Sequence, residues 1–77
     1  MEIKILGTGC TNCVTLEKRV RRVIENNNMQ ANIIKVEDIV DIMSYNIMST
    51  PGLVLNGKVV SKGRVPSEKE ILELLNS

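Results

Sequence analysis

The residues "GTGCTNC", positions 7–13, carry the strongest structural signal in this 77-residue chain. They follow an apolar, strand-like run at residues 2–6, and they contain Cys10 and Cys13, the only two cysteines of the sequence. The glycines stop the strand, whereas the apolar spacing that begins at Cys13 is that of a helix. The stretch therefore predicts a strand-to-helix junction with a cysteine at the start of the helix.

Beyond this junction, helical and extended patterns alternate. Apolar residues recur at spacings of three and four from Thr11 to about Asn27, which predicts an amphipathic helix. Residues 31–36 have the pattern of a second strand. Asp38 is a candidate N-cap for a short helix over residues 39–46. That helix is apolar most of the way round, so we expect it to be largely buried.

The last third of the chain contains two strong local signals. Asn56-Gly57 stands between two short apolar runs and predicts a tight hairpin, because both residues tolerate the positive φ angles of a type I′ turn. Ser67 and Glu70 have the spacing of a capping box and predict a last helix over residues 68–76.

The predicted order of elements is βαβαββα. Strands separated by helices pair in parallel, whereas the hairpin requires antiparallel pairing. We therefore predict an α/β fold, with a mixed four-stranded sheet and helices on both faces. A chain of 77 residues has room for one such domain, spanning residues 1–77.

Composition excludes several functions. Tyr45 is the only aromatic residue and the net charge is +1, so neither a stacking platform for nucleic acid nor a strong field for phosphates is expected.

No apolar run has the length of a membrane span, and the first residues lack the pattern of a signal peptide. The expected location is the cytoplasm. In that reducing compartment a close cysteine pair is more often catalytic or metal-binding than structural.

The two cysteines differ in their predicted surroundings. Cys10 stands at a helix start, where free N–H groups and the helix dipole favour a thiolate. Cys13 lies one turn further on and begins the apolar stripe, so it is expected to be the less exposed of the two. This difference suits thiol-disulfide exchange. The exposed thiol would attack a disulfide, and the shielded thiol would resolve the mixed disulfide that forms.

Two other interpretations of the cysteine pair remain open at this point. Both cysteines could be buried small hydrophobes, or both thiolates could hold a soft ion such as copper(I). A structural zinc site would need more ligands than this chain, which has no histidine, provides. Small carriers of soft metals alternate as βαββαβ, whereas this chain has a short helix and "STPG" before its hairpin and finishes on a helix. The topology favours redox chemistry and no metal.

Over nearly its whole length the chain resembles the thioredoxin and glutaredoxin superfamily, and within it the very small redox-active disulfide proteins of archaea and bacteria. The residues that carry the resemblance are "GTGCTNC", "TPG" at 50–52, the Asn-Gly hairpin and "GRVPSEKEI" at 63–71. The resemblance implies a thioredoxin-like fold and thiol-disulfide oxidoreductase activity, with Cys10 as nucleophile, Cys13 as resolving thiol and no cofactor besides their disulfide.

The resemblance also implies a binding site for substrate. Pro51 corresponds to a cis-proline, and with Thr50 it would pair with an extended segment of the target, beside Gly9 and Thr11. The implied partners are protein disulfides and an electron donor similar to thioredoxin reductase. Thr11-Asn12 replaces the Gly-Pro of better-known members. No residue corresponds to the buried acid of larger thioredoxins, so the group that deprotonates Cys13 stays open.

Three further expectations concern the surface. The basic residues of the first helix (Lys18, Arg19, Arg21 and Arg22) are expected to form a solvated face, and the methionines Met29, Met43 and Met48 are expected to fill gaps in the core. No exposed apolar stripe is apparent from the pattern, which favours a monomer.

Overall fold

The computed structural model describes residues 1–76; Ser77, the last residue of the predicted domain, lies outside the described residues. The elements are β1 (Glu2–Leu6), α1 (Thr11–Asn26), β2 (Asn32–Val36), α2 (Ile39–Met43), β3 (Gly52–Leu55), β4 (Lys58–Lys62) and α3 (Glu68–Leu75). The predicted βαβαββα order is confirmed. No helix within residues 1–76 combines the length and the apolar character needed to cross a membrane.

The four strands form one mixed sheet in the order β2-β1-β3-β4. β1 runs parallel to β2 and antiparallel to β3, and β4 is antiparallel to β3. Leu6, the last residue of β1, lies opposite both Val36 and Gly52. The residues after β1, those after β2 and those before β3 therefore meet at one end of the sheet.

A hydrophobic core lies on each face of the sheet. Ile3, Ile5 and Leu53 point to the face covered by α1 and α3, and Leu6 and Val54 point to the face covered by α2. Alternation along each strand directs successive side chains to opposite faces. The predicted placement of helices on both faces is therefore confirmed.

The local signals of the sequence correspond to the observed turns and caps. Asn56 and Gly57 have φ angles of 48° and 85°, as the type I′ hairpin requires. The side chain of Asp38 accepts a hydrogen bond of 2.8 Å from the N–H of Val40, and Ser67 caps α3 through a complete capping box with Glu70.

The prediction for α2 is wrong in two respects. The helix ends at Met43 rather than at residue 46, and Asn46 adopts a positive φ of 60° in the turn that follows. Only Ile42 of this helix is buried; the others are exposed, Ile39 to 61% and Val40 to 72%. A helix of only five residues can place one large side chain against the sheet, because one face of so short a helix contains few positions.

The expectations for the methionines and for the surface are also partly wrong. Met29 packs against the core, but Met43 is 65% exposed and Met48 is fully exposed. Met43 and Met48, together with Ile39 and Val40, form an exposed apolar surface, although no obvious exposed apolar stripe is expected from the sequence pattern.

The basic face of α1 is only partly a solvated surface. Arg19 donates to the carbonyl oxygen of Pro66 at 3.0 Å, and Arg22 pairs with Glu68 at 3.2 Å. Both arginines therefore connect α1 to the start of α3. The predicted solvated face is correct for Lys18, which is exposed, and wrong for Arg19.

Candidate active site

The cysteine pair lies at the junction between β1 and α1. Cys10 is the N-cap of α1: it has extended backbone angles, and its carbonyl oxygen accepts the first helical hydrogen bond, 3.0 Å from the nitrogen of Val14. The Cys10 sulfur accepts a hydrogen bond from the N–H of Cys13 at 3.2 Å. A sulfur therefore occupies the position in which serine or aspartate usually caps a helix, where the dipole favours negative charge.

Cys10 and Cys13 form a disulfide, with their Cα atoms 5.0 Å apart. Cys10 is exposed, whereas Cys13 is only 5% exposed and begins the buried stripe of α1 that continues with Leu16 and Val20. The prediction that Cys13 is the less exposed thiol is confirmed. The bond thus joins one sulfur at the surface to one sulfur against the core.

Gly7 makes room for the buried sulfur. A Cβ atom at this position would stand 3.0 Å from the Cβ of Cys13 and would overlap with its Sγ. The N–H of Gly7 donates to the carbonyl oxygen of Val36 at 3.0 Å and so extends the pairing of β1 with β2 beyond Leu6. A residue with a side chain could keep this hydrogen bond only by displacing Cys13.

The segment before β3 reaches the same end of the sheet. Because Leu6 lies opposite Gly52, Thr50 and Pro51 stand beside the residues that follow β1. The Thr50-Pro51 peptide bond is cis, as the resemblance implies. Pro51 is buried, and its carbonyl oxygen accepts a hydrogen bond of 2.9 Å from the N–H of Gly63. Thr50 is exposed.

Two charged residues beside Cys13 were not predicted. A cavity of about 20 Å³, roughly the size of one water molecule, is lined by Cys13, Gly7, Glu17 and Lys35 among others. Glu17 follows Cys13 by four residues on α1, so the helical spacing could have placed it on the same face. Lys35 belongs to β2, and no sequence spacing connects it to the cysteines.

Glu17 is held by two cations. Its carboxylate lies 3.0 Å from Nε of Arg21 and 3.4 Å from Nζ of Lys35, and its side chain is 20% exposed. The hydrogen bond from Arg21, followed by the charge of Lys35, lowers the pKa of Glu17 below its ordinary value, although burial acts in the opposite direction. Glu17 is therefore ionised at neutral pH, and it pairs with the Lys35 ammonium.

This combination of fold and site defines a class. A βαβαββα domain with a C-x-x-C disulfide at the N-terminus of its first helix is a thioredoxin-like domain. A family model described as "Thioredoxin domain" matches residues 1–76, and this chain belongs to the thioredoxin family. With its C-x-x-C disulfide, the protein is a thiol-disulfide oxidoreductase.

Two archaeal relatives, each named thioredoxin, match nearly the whole chain. The protein from Methanothermobacter thermautotrophicus is 36% identical over 76 residues, which is 99% of both chains. The protein from Methanocaldococcus jannaschii is 36% identical over 75 residues, 97% of this chain and 86% of its own length. The partners of this chain are thus of the general kinds that thioredoxins have, proteins with disulfides and a reductase.

Solved structures agree on the fold at much lower identity. Thioredoxin-2, described as a component of the malaria parasite protein secretion machinery, has a TM-score of 0.73 at 13% identity, covering 97% of this chain and 80% of its own. Thioredoxin 1 from Thermosipho africanus has a TM-score of 0.62 at 14% identity, covering 99% of this chain and 91% of its own. At such identities the likeness establishes the fold alone.

Proposed function

We propose that Cys10 attacks disulfides of partner proteins and that Cys13 resolves the mixed disulfide. The observation that supports this division of roles is the difference in exposure across one bond: Cys10 is at the surface, and Cys13 is 5% exposed. A disulfide in another protein can reach the Cys10 sulfur without unfolding either chain. Cys13 reaches only what is already bonded to Cys10.

The exchange proceeds in two balanced steps. The Cys10 thiolate attacks one sulfur of the partner disulfide, forms a mixed disulfide and releases the other partner sulfur as a thiolate, which takes up a proton. Cys13 then loses its proton and attacks the Cys10 sulfur, which releases the partner's second thiol. The partner gains two electrons and two protons, and the chain is left with the Cys10–Cys13 disulfide. No cofactor besides this disulfide is required.

The location of Lys35 suggests what assists the second step. Lys35 lines the same small cavity as Cys13, and its ammonium group pairs with Glu17, which also lines that cavity. A positive charge beside a buried sulfur stabilises its thiolate, the form that attacks. Glu17, already ionised and doubly paired, is a positioning group in this proposal rather than the base.

Substrate binding is assigned to four residues around Cys10. Gly9 and Thr11 flank it in the chain, and Thr50 and Pro51 stand at the same end of the sheet. The exposed backbone of Thr50 can pair with an extended segment of the partner, a short case of strand addition. A reductase similar to thioredoxin reductase would restore the dithiol, and the chain would act as a monomer in the cytoplasm.

Substitution of each cysteine in turn tests the division of roles. We expect Cys13→Ser to accumulate a mixed disulfide with a peptide disulfide substrate, detected by mass under non-reducing conditions. Cys10→Ser should accumulate none at the same concentration. Equal trapping by both variants would refute the assignment. If neither variant traps the peptide, and the reduced wild type instead binds copper(I) with both thiols, the chain would be a metal carrier.

A further inference from the structure

A polar cavity lies on the face of the sheet opposite to Cys13. Its volume is about 300 Å³. Five residues from β1, β2 and the α2 region line it: Lys4, Val36, Asp41, Ser44 and Tyr45. Val36 and Tyr45 pack against the core under α2, whereas the small cavity beside Cys13 is on the α1 face. The proposed exchange uses none of the five side chains. We call this space the Lys4 cavity.

Lys4 places an ammonium group on the sheet in the middle of a central strand. β1 has a neighbouring strand on each side, and alternation directs Lys4 to the α2 face. The side chain is only 28% exposed. Its Nζ donates to the hydroxyl of Tyr45 at 3.0 Å, whereas the carboxylate of Glu2, at 3.7 Å, is beyond hydrogen-bond distance. An ammonium group has three N–H donors, so Lys4 keeps donors for a ligand.

The hydroxyl of Tyr45 also keeps a donor. Its oxygen accepts the hydrogen bond from Lys4, so its own hydrogen can be donated in another direction. Among residues 1–76 no hydrogen bond uses that hydrogen. Lys4 and Tyr45 together present an ammonium and a phenol to the cavity, and the two donors suit the two oxygens of a carboxylate.

A negative charge lines the same cavity but does not pair with Lys4. The Asp41 carboxylate takes part in none of the ion pairs of residues 1–76. The Ser44 hydroxyl donates to the carbonyl oxygen of Asp41, so its own oxygen is a further acceptor in the cavity. An ammonium and a carboxylate that share a cavity without meeting leave room for a ligand that carries the complementary pair of charges.

We propose that the Lys4 cavity binds a small zwitterion, a short aliphatic chain with a carboxylate at one end and an ammonium group at the other. The carboxylate accepts from Lys4 and Tyr45, and the ammonium group donates to Asp41. The methylene groups lie against Val36 and the ring of Tyr45, which form the apolar part of the wall. A purely anionic ligand is disfavoured by Asp41 and Glu2, and a purely cationic one by Lys4.

Titration with γ-aminobutyrate, followed by NMR of the isotope-labelled protein, tests the proposal. The amide signals of Lys4, Val36 and Tyr45 should shift and saturate with a Kd of about 1–10 mM, as suits so small a ligand. Glycine has the same charges and fewer methylene groups, so it should bind about fivefold more weakly. Butyrate and butylamine each carry a single charge and should bind at least about tenfold more weakly than γ-aminobutyrate.

Substitutions identify the groups that hold the ligand. Lys4→Met and Asp41→Asn each remove a charged partner and should weaken binding about tenfold, whereas Tyr45→Phe removes a neutral donor and should weaken it about threefold. Glu2→Gln should strengthen binding about twofold, because Glu2 competes for the Lys4 ammonium. Lys58→Met alters an exposed lysine of β4 outside the cavity and should leave the Kd unchanged. Thermal unfolding checks that each variant is folded.

The outcomes are distinct. Saturable shifts that Lys4→Met and Asp41→Asn weaken in the folded variants would support the proposal. Binding of butyrate or butylamine as tight as that of γ-aminobutyrate would overturn it, because one charge would then suffice. The absence of saturable shifts up to about 100 mM would overturn it as well. Cys10→Ser, which lacks the attacking thiol, should bind γ-aminobutyrate as the wild type does, so this inference stands or fails separately from the exchange chemistry.

Discussion

Gly7 and Cys13 are in such close contact that no larger residue fits at position 7. A Cβ atom there would overlap with the Cys13 sulfur and stand 3.0 Å from its Cβ. The residue that follows β1 and the first turn of α1 are therefore in close contact at the buried half of the disulfide. The position of the Cys13 sulfur is limited by the backbone at Gly7, which is itself held by a hydrogen bond to Val36 of β2.

Gly7→Ala should destabilise the oxidised protein more than the reduced one. Overpacking at a core site costs about 1–3 kcal/mol, and for a domain of this size each kcal/mol lowers the melting temperature by about 4–8 °C. In the dithiol the Cys13 sulfur can rotate away from the added methyl group, so the loss should be smaller. Thermal unfolding of both forms measures the difference, with Thr8→Ala as an exposed control. An equal loss in both forms would show that the sulfur is not the limiting contact.

Lys35→Met should slow the resolving step severalfold and leave the initial attack unchanged. Lys35 lines the cavity of Cys13, and its replacement by methionine takes away a positive charge that favours the attacking thiolate. Single-turnover reduction of a peptide disulfide, stopped by acid and followed by mass, separates the two steps. Lys35→Arg keeps the charge and should retain most of the rate. A variant that slows the initial attack to the same extent would indicate a general loss of structure instead.

The ion pairs of Glu17 predict a dependence of stability on pH. Arg21 and Lys35 lower the pKa of this carboxylate from its ordinary value of 4.5. A carboxylate whose pKa is lowered in the folded state contributes stability above its unfolded-state pKa, and this contribution is lost as the pH falls through the lowered value. Urea unfolding at a series of pH values below 5 should show a shallower decline for Glu17→Gln than for wild type. Parallel curves would mean that the pair contributes nothing to the free energy of unfolding.

The features that the sequence predicts correctly are those with a local cause. Asn56-Gly57 forms its turn because of backbone conformation, and Ser67 caps α3 because its oxygen accepts a hydrogen bond from an N–H three residues on. The relative exposure of Cys10 and Cys13 follows from the apolar stripe of one helix. Each of these signals lies within a few residues of its effect.

The features that were missed depend on contacts between elements. The exposure of Val40 follows from how little of the sheet a five-residue helix can cover, and no periodicity within the helix contains that information. Lys35 reaches Glu17 across the space between β2 and α1. Neither residue is distinguished in the sequence from an ordinary core or surface residue, so the ion pair of Lys35 with Glu17 and the exposed apolar face of α2 required the structure.

Ser67→Ala should lower stability without affecting the redox reaction. The hydroxyl of Ser67 accepts from the N–H of Glu70, and the Glu70 carboxylate in turn accepts from the Ser67 N–H. Loss of an N-cap costs about 1 kcal/mol, equivalent to about 4–8 °C in melting temperature here. Lys69→Ala, an exposed change in the same turn of α3, should have little effect and serves as the control. A melting temperature equal to wild type would show that α3 is held by its packing alone.

The Cys10–Cys13 pair should close and open reversibly within one chain. After metal removal the protein is equilibrated in graded thiol and disulfide buffers, quenched with an alkylating reagent, and its free thiols are counted by mass. Both thiols should disappear together, because each is the other's only cysteine partner in the sequence. The midpoint should lie between about −120 and −270 mV, the range of thiol-disulfide oxidoreductases. Its value would show whether the chain reduces or oxidises its partners. Closure only between chains would contradict the intramolecular exchange, since Cys13 could then not resolve a disulfide at Cys10.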